Sequence, residues 1–120
     1  MNLDKLTNKS QEVLAQAQMI AQGSGHQSIE PGHLLKAMIE VDESVLPFLF
    51  KEFGLELQAV TNTVNSIVEG YPKVSGGQLY FSNHSNKLMS EAMKISKEFN
   101  DEYLSTEVIF IAMLSAGDSI

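Results

Sequence analysis

Sliding this 120-residue chain against itself by 75 positions lays residues 6–45 on residues 81–120 without a gap. Seven positions are identical: Asn8/Asn83, Ser10/Ser85, Ala17/Ala92, Ile20/Ile95, Ala37/Ala112, Met38/Met113 and Ser44/Ser119. The pairs that stay apolar without being identical carry more weight. They are Leu6/Phe81, Val13/Leu88, Leu14/Met89, Ile29/Leu104, Leu34/Ile109, Leu35/Phe110, Ile39/Leu114 and Val45/Ile120. These fall where a buried helix face requires them, so one helical unit is used twice.

Within each unit the periodicity is helical. Val13, Leu14, Ala17, Ile20 and Ala21 form one apolar stripe, preceded by Thr7 at the N-cap position. Ser82 occupies the matching place in the second copy, and Gly23-Ser24-Gly25 stops the first helix. A second helix opens at Glu30-Pro31 and carries Leu34, Leu35, Met38 and Ile39. Its counterpart, capped by Ser105, carries Ile109, Phe110, Met113 and Leu114. The first copy continues with a short helix over 44–53, despite Pro47, and a fourth over 57–68 with Val60, Val64, Ile67 and Val68 on one side.

The expected fold is therefore all-α, a tandem repeat of four-helix units with the second truncated. Repeat 1 takes residues 1–70, the linker 71–80 holds Pro72 and Gly76-Gly77, and an incomplete repeat 2 takes 81–120. Counterparts of the third and fourth helices are missing, so the sequence reads as a fragment of a longer protein.

Composition removes several classes of function. A net charge of -7 argues against nucleic acid, whose phosphates demand a basic face. No run of eighteen apolar residues is present, so no membrane span is expected. The start Met1-Asn2-Leu3-Asp4-Lys5 has no apolar h-region, and the chain has no cysteine for a disulfide or a thiolate metal site. A cytoplasmic location is the expectation.

Chemistry-bearing motifs are sparse. The phosphate-binding patterns G-x-x-x-x-G-K-[ST] and G-x-G-x-x-G and the nucleophile pattern G-x-S-x-G are all absent. Glu30 and His33 stand at i, i+3 with His26 nearby, but a zinc site would need a fourth ligand. Surface or capping roles are expected for His26, His33 and His84, and solvated charge for the acid pairs Asp42/Glu43 and Asp101/Glu102. No catalytic residue, metal or cofactor is expected in this chain. The helix over 106–116 is apolar nearly all round, with Val108 and Ile111 where the first copy has His33 and Lys36. Either absent helices cover it, or it lines a groove for extended peptide.

Leu6-Thr7-Asn8-Lys9-Ser10-Gln11 and Ile29-Glu30-Pro31-Gly32-His33-Leu34-Leu35 resemble the opening of the Clp N-terminal domain, in particular its ClpB-type branch of disaggregase chaperones. Lys73-Val74-Ser75-Gly76-Gly77 and Asp101-Glu102-Tyr103-Leu104-Ser105-Thr106-Glu107 fit the same family in order and spacing. The resemblance implies a pseudo-twofold pair of four-helix repeats, and a groove between them that takes up apolar segments of unfolded or aggregated proteins. Polar positions tied to that role match Thr7, Asp101 and Glu107, and apolar groove positions match Met89 and Val108. A further groove position, apolar in a ClpB-type relative, is Glu91 here. Two ATPase modules using ATP and Mg, in a homohexameric parent chain, are also implied. A second implied reading is an adaptor-docking domain of a ClpA/ClpC-type protease regulator, although the linker and Ile29-Glu30-Pro31 favour the first. On the residues alone Thr7 is an N-cap, Glu107 suits the helix dipole, and Met89 aligns with core Leu14.

Overall fold

Thr7 and Ser82 start the two longest helices by the same device. In the computed structural model, Thr7 Oγ1 accepts the Ser10 N–H at 3.1 Å and Ser82 Oγ accepts the Ser85 N–H at 3.0 Å. The structure describes residues 3–74 and 77–116. Ser75 and Gly76 of the linker, the opening Met1-Asn2, and the pairings of Ser119 and Ile120 lie outside the described residues.

The element order is α1 (Asn8–Gly23), β1 (Ser28–Ile29), α2 (Pro31–Val41), α3 (Val45–Glu52), α4 (Leu57–Glu69), β2 (Tyr80–Phe81), α5 (Asn83–Glu98) and α6 (Thr106–Ala116). A single 3-10 turn over Leu3–Lys5 precedes α1. The fold is all-α, as expected, and the helix boundaries follow the capping signals. Glu30 caps α2, with Pro31 in its first turn.

The two helix stops are also duplicated. Gly25 has φ 77°, its N–H bonds the Gln22 carbonyl, and the His26 N–H bonds that of Ala21. Asn100, 75 positions on, has φ 59°, with Asn100 N–H on the Lys97 carbonyl and Asp101 N–H on that of Ser96. Both are Schellman turns, and asparagine is the side chain that most readily replaces glycine there.

A pseudo-twofold relation is written in the hydrogen bonds between copies. Ser10 Oγ donates to the Leu104 carbonyl at 2.9 Å, and Ser85 Oγ donates to the Ile29 carbonyl at 2.7 Å. The Thr7 and Ser82 N–H groups reach the same two carbonyls at 3.0 and 3.1 Å. Each copy thus hooks the other through equivalent atoms, so exchanging the copies reproduces the contact. β1 and β2 pair in parallel with Ile29 opposite Phe81, and a parallel bridge joins Leu6 to Leu104 at the equivalent place. Two-residue strands are too short for an alternating pattern to show, so no periodicity announces them.

The core explains why α6 is apolar nearly all round. It packs against α5, α3, α1 and α2, so most of its faces meet protein. Val108, Ile109, Phe110, Ala112 and Met113 are buried, whereas Ile111 is half-buried and Leu114 remains exposed. Phe50 of α3 lies against Phe110 with ring centroids 5.2 Å apart, and Phe53 flanks the same ring at 6.2 Å. Val108, 1% exposed, is therefore covered from within this chain.

Two expectations need correcting. Asp42 is not a solvated charge: it is 3% exposed. Its Oδ1 accepts the Ser44 and Val45 N–H groups at the start of α3, and its Oδ2 accepts the Thr106 hydroxyl at 3.0 Å. An acid at a helix start finds unpaired N–H groups there, and these make its burial tolerable. Glu43, Asp101 and Glu102 are exposed, as expected. His26 is not at the surface either, at 6% exposure; His33 is fully buried but takes the expected capping role, its Nδ1 accepting the Glu30 N–H, and His84 is exposed as expected.

Candidate functional site

A cavity of about 480 Å³ lies where the two copies meet, bounded by α1, the β1–β2 pair and the start of α5. Its apolar lining is Leu3, Leu14, Ile29, Leu79 and Phe81, and its polar lining is Gln11, Gln18 and Asn86, with Ala15 and Tyr80 beside them. Gln11 and Asn86 are related by the 75-residue offset, so the cavity sits at the junction of the repeats. Helical spacing puts Gln11, Leu14, Ala15 and Gln18 on one side of α1. The parallel pairing brings Ile29 and Phe81 together from far apart in the chain. Gln11, Ala15, Gln18, Tyr80 and Asn86 are exposed, so they form the mouth.

Among the described residues, no ionisable side chain other than the Tyr80 phenol lines this cavity. Its chemistry is apolar contact with amide hydrogen bonding at the edge, suited to holding an apolar segment by its side chains.

The residues expected from sequence lie elsewhere, and none of the five lines the cavity. Thr7 is half-buried, and its hydroxyl also donates to Ser10 Oγ at 2.9 Å. Through its N–H it joins the Leu104 segment, on either side of which Asp101 and Glu107 are exposed. Met89 and Val108 are each 1% exposed, inside the core. Glu91 is exposed on α5. Sequence reasoning named none of the cavity's lining residues as a site: Leu14, Ile29 and Phe81 entered it only as core positions, and Leu3, Leu79 and Tyr80 not even as those. The one available signal was the apolar run Leu79-Tyr80-Phe81 between the Gly-containing linker and the Ser82 cap.

A second cluster is built from His26, His33 and Tyr71. His33 Nδ1 accepts the Glu30 N–H at 2.9 Å, which closes a capping box at the start of α2. His33 Nε2 and His26 Nδ1 are 2.8 Å apart. The backbone N–H can only donate, so neutral His33 carries its proton on Nε2 and gives it to His26 Nδ1. His26 then carries its own proton on Nε2, a buried atom with no partner among the described residues. Tyr71 packs on both rings, with centroids 5.7 and 5.0 Å away, and its hydroxyl accepts the Gly32 N–H at 3.2 Å.

Burial, assisted by His26 and opposed by Glu30, pushes the His33 pKa down to about 4. Burial and the Lys73 cation lower that of His26, and burial raises that of Tyr71. Both His33 nitrogens are occupied within the protein. Among the described residues no group of three or more His, Asp or Glu could hold a metal ion.

The seat of Tyr71 depends on Gly32, where a Cβ would collide with Tyr71 Oη and approach Ile67 Cγ2 at 3.3 Å. Gly32→Ala gains up to about 1 kcal/mol of helix propensity but displaces the ring, so a net loss of about 1–2 kcal/mol is expected. A denaturant midpoint equal to or above that of the parent chain would show that Tyr71 is not seated there.

Comparison with known proteins agrees with this geometry. The family model of the Clp repeat (R) N-terminal domain matches residues 5–120. The chaperone protein ClpB of Bacteroides thetaiotaomicron is 39% identical over 120 residues, covering 100% of this chain and 14% of that protein. The chaperone protein ClpB of Porphyromonas gingivalis is 39% identical over 115 residues, covering 96% of this chain and 13% of that protein. The chain therefore spans only 13–14% of the length of these relatives. Among solved structures, a complex of the ClpV N-domain with a VipB peptide is similar at TM-score 0.84 and 25% identity, over 98% of this chain and 72% of that one. The Hsp104 N-terminal domain of Candida albicans shares the fold at TM-score 0.82 and 21% identity, over 92% and 73%. No helix among the described residues is long and apolar enough to cross a membrane. A match that runs through both copies of the unit supports one assignment: the chain belongs to the Clp repeat N-terminal domain family.

Proposed function

We propose that this chain is the substrate-binding N-terminal domain of a ClpB-type ATP-dependent disaggregase, and that it takes apolar segments of unfolded or aggregated proteins into the cavity between the repeats. The observation that carries this reading is the lining: an apolar floor of Leu14, Ile29, Leu79 and Phe81 under an exposed amide rim. A rim without charge accepts many sequences, because it leaves no buried ion unpaired whichever segment enters. The domain itself is non-catalytic. ATP and Mg belong to ATPase modules of the parent chain, which we place in the cytoplasm as a homohexamer. Asp101 and Glu107, exposed about the Leu104 segment that Thr7 holds, favour clients with basic residues beside the apolar run. Met89 and Val108 enter this reading through packing rather than contact.

The test is an NMR titration with an unfolded model protein. Shifts are expected at Leu14, Phe81 and Gln18, and Ala15→Glu, at the exposed mouth, is expected to weaken binding about tenfold by placing a charge against apolar client. Shifts confined to other surfaces, together with unchanged affinity in Ala15→Glu, would sink the assignment. A second reading, docking of one specific partner peptide, draws support from the ClpV N-domain neighbour that holds a VipB peptide. Peptides of one composition in shuffled order separate the two. Equal affinities favour client capture, and binding of a single order favours docking.

A further inference from the structure

His26 and His33 are buried side chains that the peptide cavity does not use, and they sit where three parts of the chain meet. His26 follows the Schellman turn of α1 and stands two residues before β1. His33 belongs to the first turn of α2. The segment 71–74 lies across both, through the Tyr71 ring and the bond from Val74 N–H to the Gly25 carbonyl at 3.0 Å.

We propose that the His26–His33 pair is an acid-released latch: with both rings neutral it holds segment 71–74 against the entry to β1, and protonation of either ring lets that segment go.

The geometry allows only the neutral pair. A proton added to His33 must go on Nδ1, where the Glu30 N–H already points. A proton added to His26 must go on Nδ1, where the His33 Nε2–H points. Either addition sets donor against donor and breaks a bond at 2.9 or 2.8 Å. The buried His26 Nε2–H finds no acceptor among the described residues, so no hydrogen bond at that atom opposes the parting of the pair.

The charges around the pair come from several elements. Lys36 of α2 and Lys73 of segment 71–74 oppose a proton on the rings, as their effects on His33 and His26 show. Glu30 favours one, but its carboxylate accepts the Ser28 hydroxyl at 2.7 Å and stands 4.0 Å from His84 Nδ1 of α5. Glu69 at the end of α4 lines the same corner as His26, Lys36 and Lys73. The end of α1 and β1 bring no charged side chain. Lys36 is tied to Asn65 of α4 at 2.9 Å, which keeps its cation on this side of α2.

The sign of the pH effect follows. The folded-state pKa of His33 is depressed from 6.5 to about 4, so its stabilisation of the closed corner is complete above pH 6.5 and is lost as pH falls toward 4. For His33 alone, with 6.5 in the open form and about 4 in the closed one, opening rises about twentyfold from pH 7 to pH 5. The consequence for peptide rests on the cavity reading above: β1 starts two residues after His26, and its Ile29 lines the cavity. The latch itself is read without peptide.

Native-state hydrogen exchange in low denaturant tests it, with Gly32 and Val74 N–H as reporters and Ala112 in α6 as the core reference. Protection at Gly32 and Val74 is expected to fall about twentyfold from pH 7 to pH 5, with little denaturant dependence, because the opening exposes little surface. Protection that does not change with pH, or that carries the same denaturant dependence as Ala112, would overturn the latch. His33→Asn, whose Oδ1 can still accept the Glu30 N–H but does not titrate, is expected to remove the His33 share of the response and leave a fall well below about twentyfold; an unchanged fall would overturn the latch. If that variant does not fold, ring-proton titration of the unaltered chain decides, since His26 and His33 must titrate together with the release of Tyr71. Rings that titrate while the Tyr71 signals stay unchanged would reject the proposal.

Discussion

Phe50→Ala is expected to destabilise the domain by about 3–5 kcal/mol, because it removes a buried ring and leaves a cavity the helices can only partly close. Phe50 is 1% exposed and belongs to α3 of the first copy, yet its ring lies on Phe110 of the second. The loss therefore falls on the contact that joins the copies. Thermal unfolding should show a midpoint lowered by roughly 15 °C for a chain of this size. Phe53 flanks the same Phe110 ring but is half exposed, so Phe53→Ala should cost about 1 kcal/mol or less, since most of its surface is already in water. Equal effects at the two positions would contradict the packing of α3 on α6.

Asp42→Ala is the second large effect. The substitution strips two N–H groups at the start of α3 of their acceptor and leaves the Thr106 hydroxyl facing a void. The buried Thr106 hydroxyl left without its partner and a lost cap on the part-buried N–H groups at the start of α3 together should cost about 2–3 kcal/mol. Asp42→Asn keeps an oxygen for the two N–H groups, and Thr106 can reverse its hydroxyl to accept from the amide, so a loss nearer about 1 kcal/mol is expected. A cycle combining Asp42→Ala with Thr106→Ala should show coupling of about 1 kcal/mol or more, as partners in one buried network do. Strict additivity would mean the Thr106 bond contributes nothing.

The helices were legible because each is announced locally. Thr7, Ser82 and Ser105 mark starts, Gly25 marks a stop, and an apolar stripe at 3.6-residue spacing needs no knowledge of the partner it meets. Asn100 carried the same stop signal in a less obvious form, through its tolerance of a positive φ. Asp42 could not be read from its surroundings. A carboxylate before a helix is ordinary on the surface, and only the arrival of Thr106 from 64 residues away makes it a buried tie. The candidate cavity was illegible for a related reason. Its members come from the 3-10 turn, α1, β1, the end of the linker, β2 and α5, and no local pattern spans these separate segments.

The sequence by itself determined that a helical unit occurs twice and where its helices begin and end, since caps and periodicity act over a few residues. It also determined that Leu6 answers to Phe81 and Ile29 to Leu104, because both copies keep these positions apolar. Only the tertiary structure decided that these four cross over, Leu6 pairing with Leu104 and Ile29 with Phe81. It alone decided that Val108 is core, through neighbours on most sides of α6, and that His26 and His33 share a proton in the dark of the fold. Burial and hydrogen-bond direction belong to residues far apart in the chain, and folding alone brings them within reach of one another.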